Sequence, residues 1–303
     1  MKVAVIGAGV MGSGIASAIV LGGHEAIVYD IVPEVLRNSE KLIGSLIREM
    51  KGNSDGELGE FHVESSLNEA VKGADIVLEV IIEDLNAKRE LYEQLTTYIG
   101  QDVPVASNTS TFTVEQLSKD LKIQDRILIA HWVNPPYVIP LVEIARAPWT
   151  SEWAVNKITG FLKELGKEPV IVPDIPGLIV NRFNSAVYRE ALRLVANYNI
   201  DPQTIDLVWK KHLAVIFSVT GVLGTMDYVG LDTIVRAASS LSSPSQDEDV
   251  KAASLIIDKV SRGELGVKSG LGFYPYSGSD RLSLELSRAH SIRGVLKCLE
   301  DVS

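Results

Sequence analysis

Gly7, Gly9 and Gly12 stand in the spacing G-x-G-x-x-G, directly after the apolar run KVAVI and directly before an apolar-periodic stretch. In that setting Gly7 permits a tight turn, Gly9 lets the backbone approach a diphosphate, and Gly12 lets helix and strand pack closely. The amides of Val10 and Met11, at the helix N-terminus, offer unpaired donors and a partial positive charge to phosphate oxygens. A second strand, EAIVYD, ends at Asp30, where an acidic residue takes ribose hydroxyls, and Ile31 follows in place of a cation that could receive a 2′-phosphate. The pattern predicts NAD as the bound dinucleotide. Asp30 either holds its ribose or caps the helix starting near Pro33.

A group that moves a proton is the second requirement. Of the histidines His24, His62, His131, His212 and His290, no two have the spacing of a metal-binding helix, and Cys298 is the sole cysteine. No metal, thiolate cluster or internal disulfide is therefore expected. His131 lies near the carboxyl end of the run RILIAHWV, where open α/β sheets bind their ligands; the other four read as solvated or packing residues. PLVEIA follows too closely for a crossover helix, so the two runs form an antiparallel pair turning over Asn134 to Pro140. Residues equidistant from Tyr137 then face each other, which sets His131 opposite Glu143. A carboxylate beside an imidazole orients the ring and favours its protonated form, which suits an acid/base; a plain cross-strand ion pair has the same spacing. After the strand PVA, Ser107, Asn108, Thr109 and Ser110 gather at another carboxyl end, as substrate contacts or as a cap of the helix near Thr113.

The frame for these groups reads as alternating strands and helices: KVAVI, a helix from Val10, EAIVYD, a helix from Pro33, DIVLEV, a helix from Asn86, VPVASN, a helix from Thr113, then RILIAHWV. Between the Pro33 helix, ending near Met50, and DIVLEV the chain reads as a short polar stretch. PLVEIA, a helix from Glu152 to Leu165 and a last strand EPVIVPD close the layer. The prediction is a Rossmann-type doubly wound α/β fold, mostly parallel with antiparallel end strands, over residues 1–175. Pro176 and Gly177 interrupt both periodicities. Residues 176–303 then form a mainly α-helical domain, with helices over Asn181 to Tyr198, Pro202 to Lys211, about Asp227 to Ala238, Val250 to Arg262 and about Leu282 to Leu299. Ser239 to Asp249 has loop composition.

With 303 residues, 46% of them hydrophobic, the chain can bury a sizeable core, and a net charge of -10 with mixed signs argues against nucleic acid or an anionic membrane as partner. No uninterrupted apolar run reaches the ~18 residues that cross a bilayer, and the opening residues lack a signal peptide's apolar core. The expectation is a soluble, cytoplasmic protein acting on a small molecule.

The segments GAGVMGSGIA, LEVIIEDLNAK, ASNTS, AHWVNPPYVIPLVE, PGLIVNR, MDYVGLDT and GVKSGLGFYPY, in this order from residue 1 to about 276, resemble the 3-hydroxyacyl-CoA dehydrogenase family. The resemblance implies that His131 is the acid/base with Glu143 as its orienting partner, that Ser110 lies near the substrate hydroxyl and nicotinamide, and that Asn181 bonds the substrate's carbonyl side. It also implies that Glu83, Lys88 and Asn108 line the cofactor cleft, and that the helical domain forms a homodimer in fatty acid metabolism. Asn181 as a helix N-cap and Lys88 on a solvated helix face are the plain alternatives. HWVNPPYVIPLVE is also similar to the branch containing L-gulonate 3-dehydrogenase and lambda-crystallin. Oxidation of a free 3-hydroxy acid such as L-gulonate is therefore the alternative activity, and a non-catalytic dinucleotide-binding structural or sensor protein a third. Two departures from the family bear on the substrate. The region before DIVLEV, where family members project a helical tail that helps hold CoA, is short, and HLAVIFSVTGVLGTMDYVG lacks the usual glycine-proline and reads as a loop.

Overall fold

Val3, Ala4, Val5 and Ile6 are all fully buried, which a strand achieves only in the middle of a sheet covered on both faces. The computed structural model describes residues 1–52, 57–241, 247–276 and 280–300. Its first unit contains β1 (Lys2–Ile6), α1 (Val10–Leu21), β2 (Glu25–Tyr29), α2 (Pro33–Lys51), β3 (Phe61–Glu64), α3 (Leu67–Val71), β4 (Ile76–Glu79) and α4 (Leu85–Tyr98). There follow β5 (Val105–Ser107), α5 (Val114–Ser118), β6 (Ile127–Trp132), β7 (Leu141–Ala145), α6 (Glu152–Glu164) and β8 (Glu168–Ile171). The sheet order is β3-β2-β1-β4-β5-β6-β7-β8. All neighbours pair parallel except β6 with β7, so β7 and β8 run against the rest. The chain winds outward from β1 to β3 and then returns to β4 on the other side of β1. That reversal opens a crevice at the carboxyl ends of β1 and β4, where ligands of such sheets bind.

Alternation along the strands divides the core between two faces. Val3, Val5, Val28, Leu128, Ala130 and Trp132 pack against Ile15 and Ile19 of α1 and Ile158, Phe161 and Leu162 of α6. Ala4, Ile6, Val77, Ile127 and Ile129 pack against Leu91, Tyr92 and Leu95 of α4 and Leu117 of α5. His131 and Glu143 share the parity of Ile127, Ile129 and Ala145, and so belong to the α4–α5 face.

The second unit is helical: α7 (Val180–Tyr198) leads into it, followed by α8 (Pro202–Val208), a π-helical turn at Trp209–Leu213, α9 (Ala214–Val229), α10 (Leu231–Leu241), α11 (Asp247–Ser261) and α12 (Arg281–Glu300). Within it the fully buried Asp227 accepts from the amides of Phe273 (2.9 Å) and Tyr274 (3.0 Å) and from the Tyr276 hydroxyl (3.1 Å), tying the GLGFYPY segment to the end of α9. The compact units are Met1–Tyr188 and Arg189–Ser303, and α7 crosses that division as one helix.

Four sequence expectations are corrected. The polar stretch before DIVLEV contains β3, paired parallel to β2, and α3; β3 is a four-residue edge strand without a buried side chain, so its alternation is faint. The segment read as a loop before MDYVG is α9, with the backbone broken at Gly221 (φ 67°), and the helix expected over Asp227 to Ala238 is two helices parted at Gly230 (φ 96°). Glycines and β-branched residues mask the helical period there. The expected loop over Ser239 to Asp249 is helical at both ends, up to Leu241 and from Asp247, and residues 242–246 lie outside the described residues.

Candidate active site

β1 ends at Ile6, and Gly7 turns the chain with φ +112°, its amide donating to the Tyr29 carbonyl at 2.8 Å. A Cβ at Gly7 would collide with the Val80 carbonyl on β4's exit, and one at Gly12 with the Gly7 carbonyl, so the first and third glycines are fixed by backbone crowding. A Cβ at Gly9 would meet nothing within 4 Å. The first ladder bond of α1 is Ser13 N to Gly9 O (2.9 Å), so the amides of Val10, Met11 and Gly12 remain unspent among the described residues. An open cradle facing three free amides fits a diphosphate. Asp30 accepts from Ala8 N and Val32 N, each at 2.9 Å, which braces the glycine loop and the start of α2 together. It does not cap α2, whose N-cap is Val32 with no side-chain cap bond, and each carboxylate oxygen retains a further lone pair for a ribose hydroxyl.

Beside this loop, β4 ends in Glu79, which is fully buried among apolar neighbours. One oxygen accepts from Lys88 Nζ (2.7 Å) and Ile81 N (2.8 Å), the other from Tyr92 Oη and Ser107 Oγ (both 2.6 Å). Lys88, 1% exposed, also lies 3.2 Å from Glu83, so the solvated helix face is excluded for it. Glu83 in turn accepts from Thr109 Oγ1 and the Thr111 amide. Burial opposes ionisation of Glu83, but the Thr109 hydrogen bond and the Lys88 charge outweigh it and hold the carboxyl below its ordinary range. Burial, with the Glu79 charge second, pushes the Tyr92 phenol well up, so it stays a donor.

On the hairpin, His131 and Glu143 are register partners, and Nδ1 lies 2.9 Å from Glu143 Oε2. A carboxylate only accepts, so Nδ1 carries the hydrogen in the neutral ring and Nε2 holds the lone pair. The other oxygen of Glu143 accepts from the amides of Ile179 (2.8 Å) and Val180 (3.1 Å) at the start of α7. Asn181 is the next residue, half-buried, and its side-chain amide has no partner among the described residues. Thr113, not Ser110, caps α5, in a capping box with Gln116. Ser110 Oγ is thereby left uncommitted, while its carbonyl accepts from Gly177 N at 2.9 Å. Asn108 Oδ1 accepts from Trp132 N (2.8 Å), pinning the end of β6.

Comparison with known proteins sets this geometry in a family. Residues 2–175 match the family model of the 3-hydroxyacyl-CoA dehydrogenase NAD-binding domain, and residues 177–276 match that of its C-terminal domain. The chain belongs to the 3-hydroxyacyl-CoA dehydrogenase family. It is an NAD-dependent oxidoreductase. Human mitochondrial hydroxyacyl-coenzyme A dehydrogenase is 32% identical over 287 residues, 90% of each chain. The 5-formyl-3-hydroxy-2-methylpyridine 4-carboxylate 5-dehydrogenase of Mesorhizobium japonicum is 30% identical over 304 residues, 99% of this chain and 98% of that protein. Among solved structures, the 3-hydroxyacyl-CoA dehydrogenase of Archaeoglobus fulgidus is 36% identical, covers 99% of both chains and superposes with a TM-score of 0.80.

For this family member, the spacing of the hairpin brought together His131 and Glu143, while the resemblance set Glu83 and Lys88 in one cleft without pairing them. Sequence reasoning missed Glu79, although a carboxylate inside the apolar run DIVLEV followed by Lys88 and Tyr92, four apart on one helix face, is a visible signal. It also missed the amides of Ile179 and Val180, which no residue type announces.

Proposed function

We propose that this chain oxidises the 3-hydroxyl of a 3-hydroxyacyl-CoA to a 3-keto group, reversibly, with NAD. The observation that carries the reading is the buried His131–Glu143 pair at 2.9 Å. Its Nε2 lone pair takes the hydroxyl proton, and Glu143 stabilises the imidazolium that results. Ser110 Oγ and the Asn181 amide, both without protein partners among the described residues, supply hydrogen bonds to the reacting oxygen and the substrate carbonyl. NAD, when bound, supplies the hydride acceptor; the Val10, Met11 and Gly12 amides hold its diphosphate, Asp30 its ribose, and Glu83 with Lys88 and Asn108 the wall beside it.

A free carboxylate substrate is the second reading. It is supported by the likeness to the pyridine carboxylate dehydrogenase over 99% of the chain, a coverage that the Archaeoglobus fulgidus acyl-CoA enzyme equals at higher identity. The nine residues between α2 and β3 also leave little chain for a CoA-holding extension. Steady-state kinetics separate the two. NADH oxidation is expected with acetoacetyl-CoA, and turnover with L-gulonate or simple 3-hydroxy acids but none with the thioester would overturn the first reading. In the same assays Asp30→Ala is expected to raise KM for NAD by about tenfold, the worth of lost hydrogen bonds to a charged acceptor; an unchanged KM removes Asp30 from the cofactor site.

The homodimer belongs to the same proposal. The helical run Pro202–Val229 contains an 18-residue apolar window of mean hydropathy 1.4, 17% of it buried, which by length and composition would also suffice to cross a membrane. Leu207, Val208, Leu223 and Val229 on it are exposed. A second copy covering this face predicts twice the 32.9 kDa chain mass by light scattering, and a monomer at micromolar concentration refutes it.

A further inference from the structure

Resting on the reading of His131 and Glu143 as the acid/base pair, we propose that the segment Asp174 to Asn181 is a positioning element of that pair, acting through the backbone amides of Ile179 and Val180. Glu143 is 1% exposed, and its carboxylate is divided between two tasks. Oε1 takes the Ile179 and Val180 amides at 2.8 and 3.1 Å, and Oε2 takes His131 Nδ1 at 2.9 Å. Two N–H groups aimed at Oε1 admit only a bare oxygen there. A carboxyl proton at that end, or a side chain turned end for end, would face donors with a donor. With Oε1 so fixed, Oε2 accepts from Nδ1, and the lone pair of the imidazole is kept on Nε2.

The segment is anchored well beyond what a connector needs. Asp174 accepts from the Val114 and Glu115 amides at 2.8 and 3.3 Å, Gly177 N donates to the Ser110 carbonyl at 2.9 Å, and Leu178 N to the Ile175 carbonyl at 3.0 Å. Leu178, 1% exposed, sits at φ 48°, a left-handed conformation that a leucine holds only where its surroundings impose it. The turn made by Gly177 and Leu178 aims the two following amides at Glu143. One short stretch of backbone thus fixes the Ser110 loop, orients Glu143 and carries Asn181.

The test exploits the position of Val180 as the first residue of α7, where proline is tolerated and the amide has no ladder partner to lose. Val180→Pro deletes one donor to Oε1. Measured against Val180→Ala, which keeps the amide, it is expected to lower kcat by about tenfold with KM for NAD changed less than about twofold. A Glu143→Gln background supplies the readout that a merely structural role would not move. There the amides force the glutamine oxygen to the Oε1 place, its NH2 faces Nδ1, and the imidazole is turned to the wrong tautomer. In that background the proline is expected to cost less than about twofold further, because both changes act on one device. Equal kcat for the proline and alanine variants, or the same tenfold loss in both backgrounds, overturns the proposal. Should the proline variant not fold, hydrogen exchange decides. The Val180 amide is expected to exchange at least about tenfold faster in Glu143→Ala than in the wild type, and equal rates overturn it. His131→Asn, assayed in parallel, keeps the two readings apart. Activity retained there removes the acid/base assignment itself, whereas its loss beside an unaffected Val180→Pro removes only the role of the segment.

Discussion

His131→Asn is expected to lower kcat by about 10²–10⁴-fold while NAD affinity changes by less than about twofold. The size follows from what the ring does and what asparagine cannot do. An asparagine amide can still donate to Glu143, so the buried carboxylate is not stranded, but no lone pair takes the place of Nε2 and the amide has no proton-transfer range near neutrality. The direction for NAD follows from location. The glycine loop is built on β1, α1 and β2, and its braces run to Tyr29, Asp30 and Val80, none of which touches the hairpin residue. Isothermal titration with NAD and single-turnover hydride transfer read the two quantities separately. A variant that binds NAD normally and turns over within tenfold of the wild type leaves the proton transfer to another group and ends the acid/base assignment.

The hairpin and the glycine loop were legible because both are written in spacing. Antiparallel pairing is symmetric about its turn, so a count from Tyr137 was enough to set His131 against Glu143, and a one-residue slip would have turned either side chain to the α1–α6 face. Gly7 and Gly12 were legible because backbone crowding excludes any other residue. What stayed hidden depends on contacts that spacing does not encode. Asp30 read as a ribose ligand or a cap, and the structure gives it a different duty from capping, the bond to Ala8 N, which a sequence cannot display because the acceptor is shared between two loops far apart in the chain. The amides holding Glu143 are backbone, indifferent to residue type. β3 and α9 were lost for opposite reasons: FHVE is too short and too exposed to show alternation, and the α9 sequence is so uniformly apolar that its helical period has no polar face to stand against.

Glu79→Ala should destabilise the first unit by about 3–5 kcal/mol, because it removes an acceptor that four donors of a buried network share. Lys88 Nζ, Tyr92 Oη, Ser107 Oγ and the Ile81 amide would all lose a partner at once, and Lys88, 1% exposed, would keep Glu83 and a long bond to the Ile81 carbonyl. For a unit of this size each kcal/mol lowers Tm by about 2–4 °C, so the expected fall is about 6–20 °C. The comparison that isolates the cause is Glu79→Leu combined with Lys88→Met, which withdraws both charges and fills similar volume. It should recover the share of the loss that comes from stranding the Lys88 charge, since a buried ion pair is dear to break but cheap to replace by apolar groups, while Tyr92 Oη, Ser107 Oγ and the Ile81 amide stay without their acceptor. The cofactor side should not recover with it. Glu83 is held in place by Lys88 and Thr109, so the double variant regains part of the stability while KM for NAD stays raised. Differential scanning calorimetry beside NAD kinetics separates these outcomes. A Tm within about 3 °C of the wild type in Glu79→Ala would mean that α4 is held to the sheet by its apolar face alone, with the carboxylate network contributing orientation and not stability.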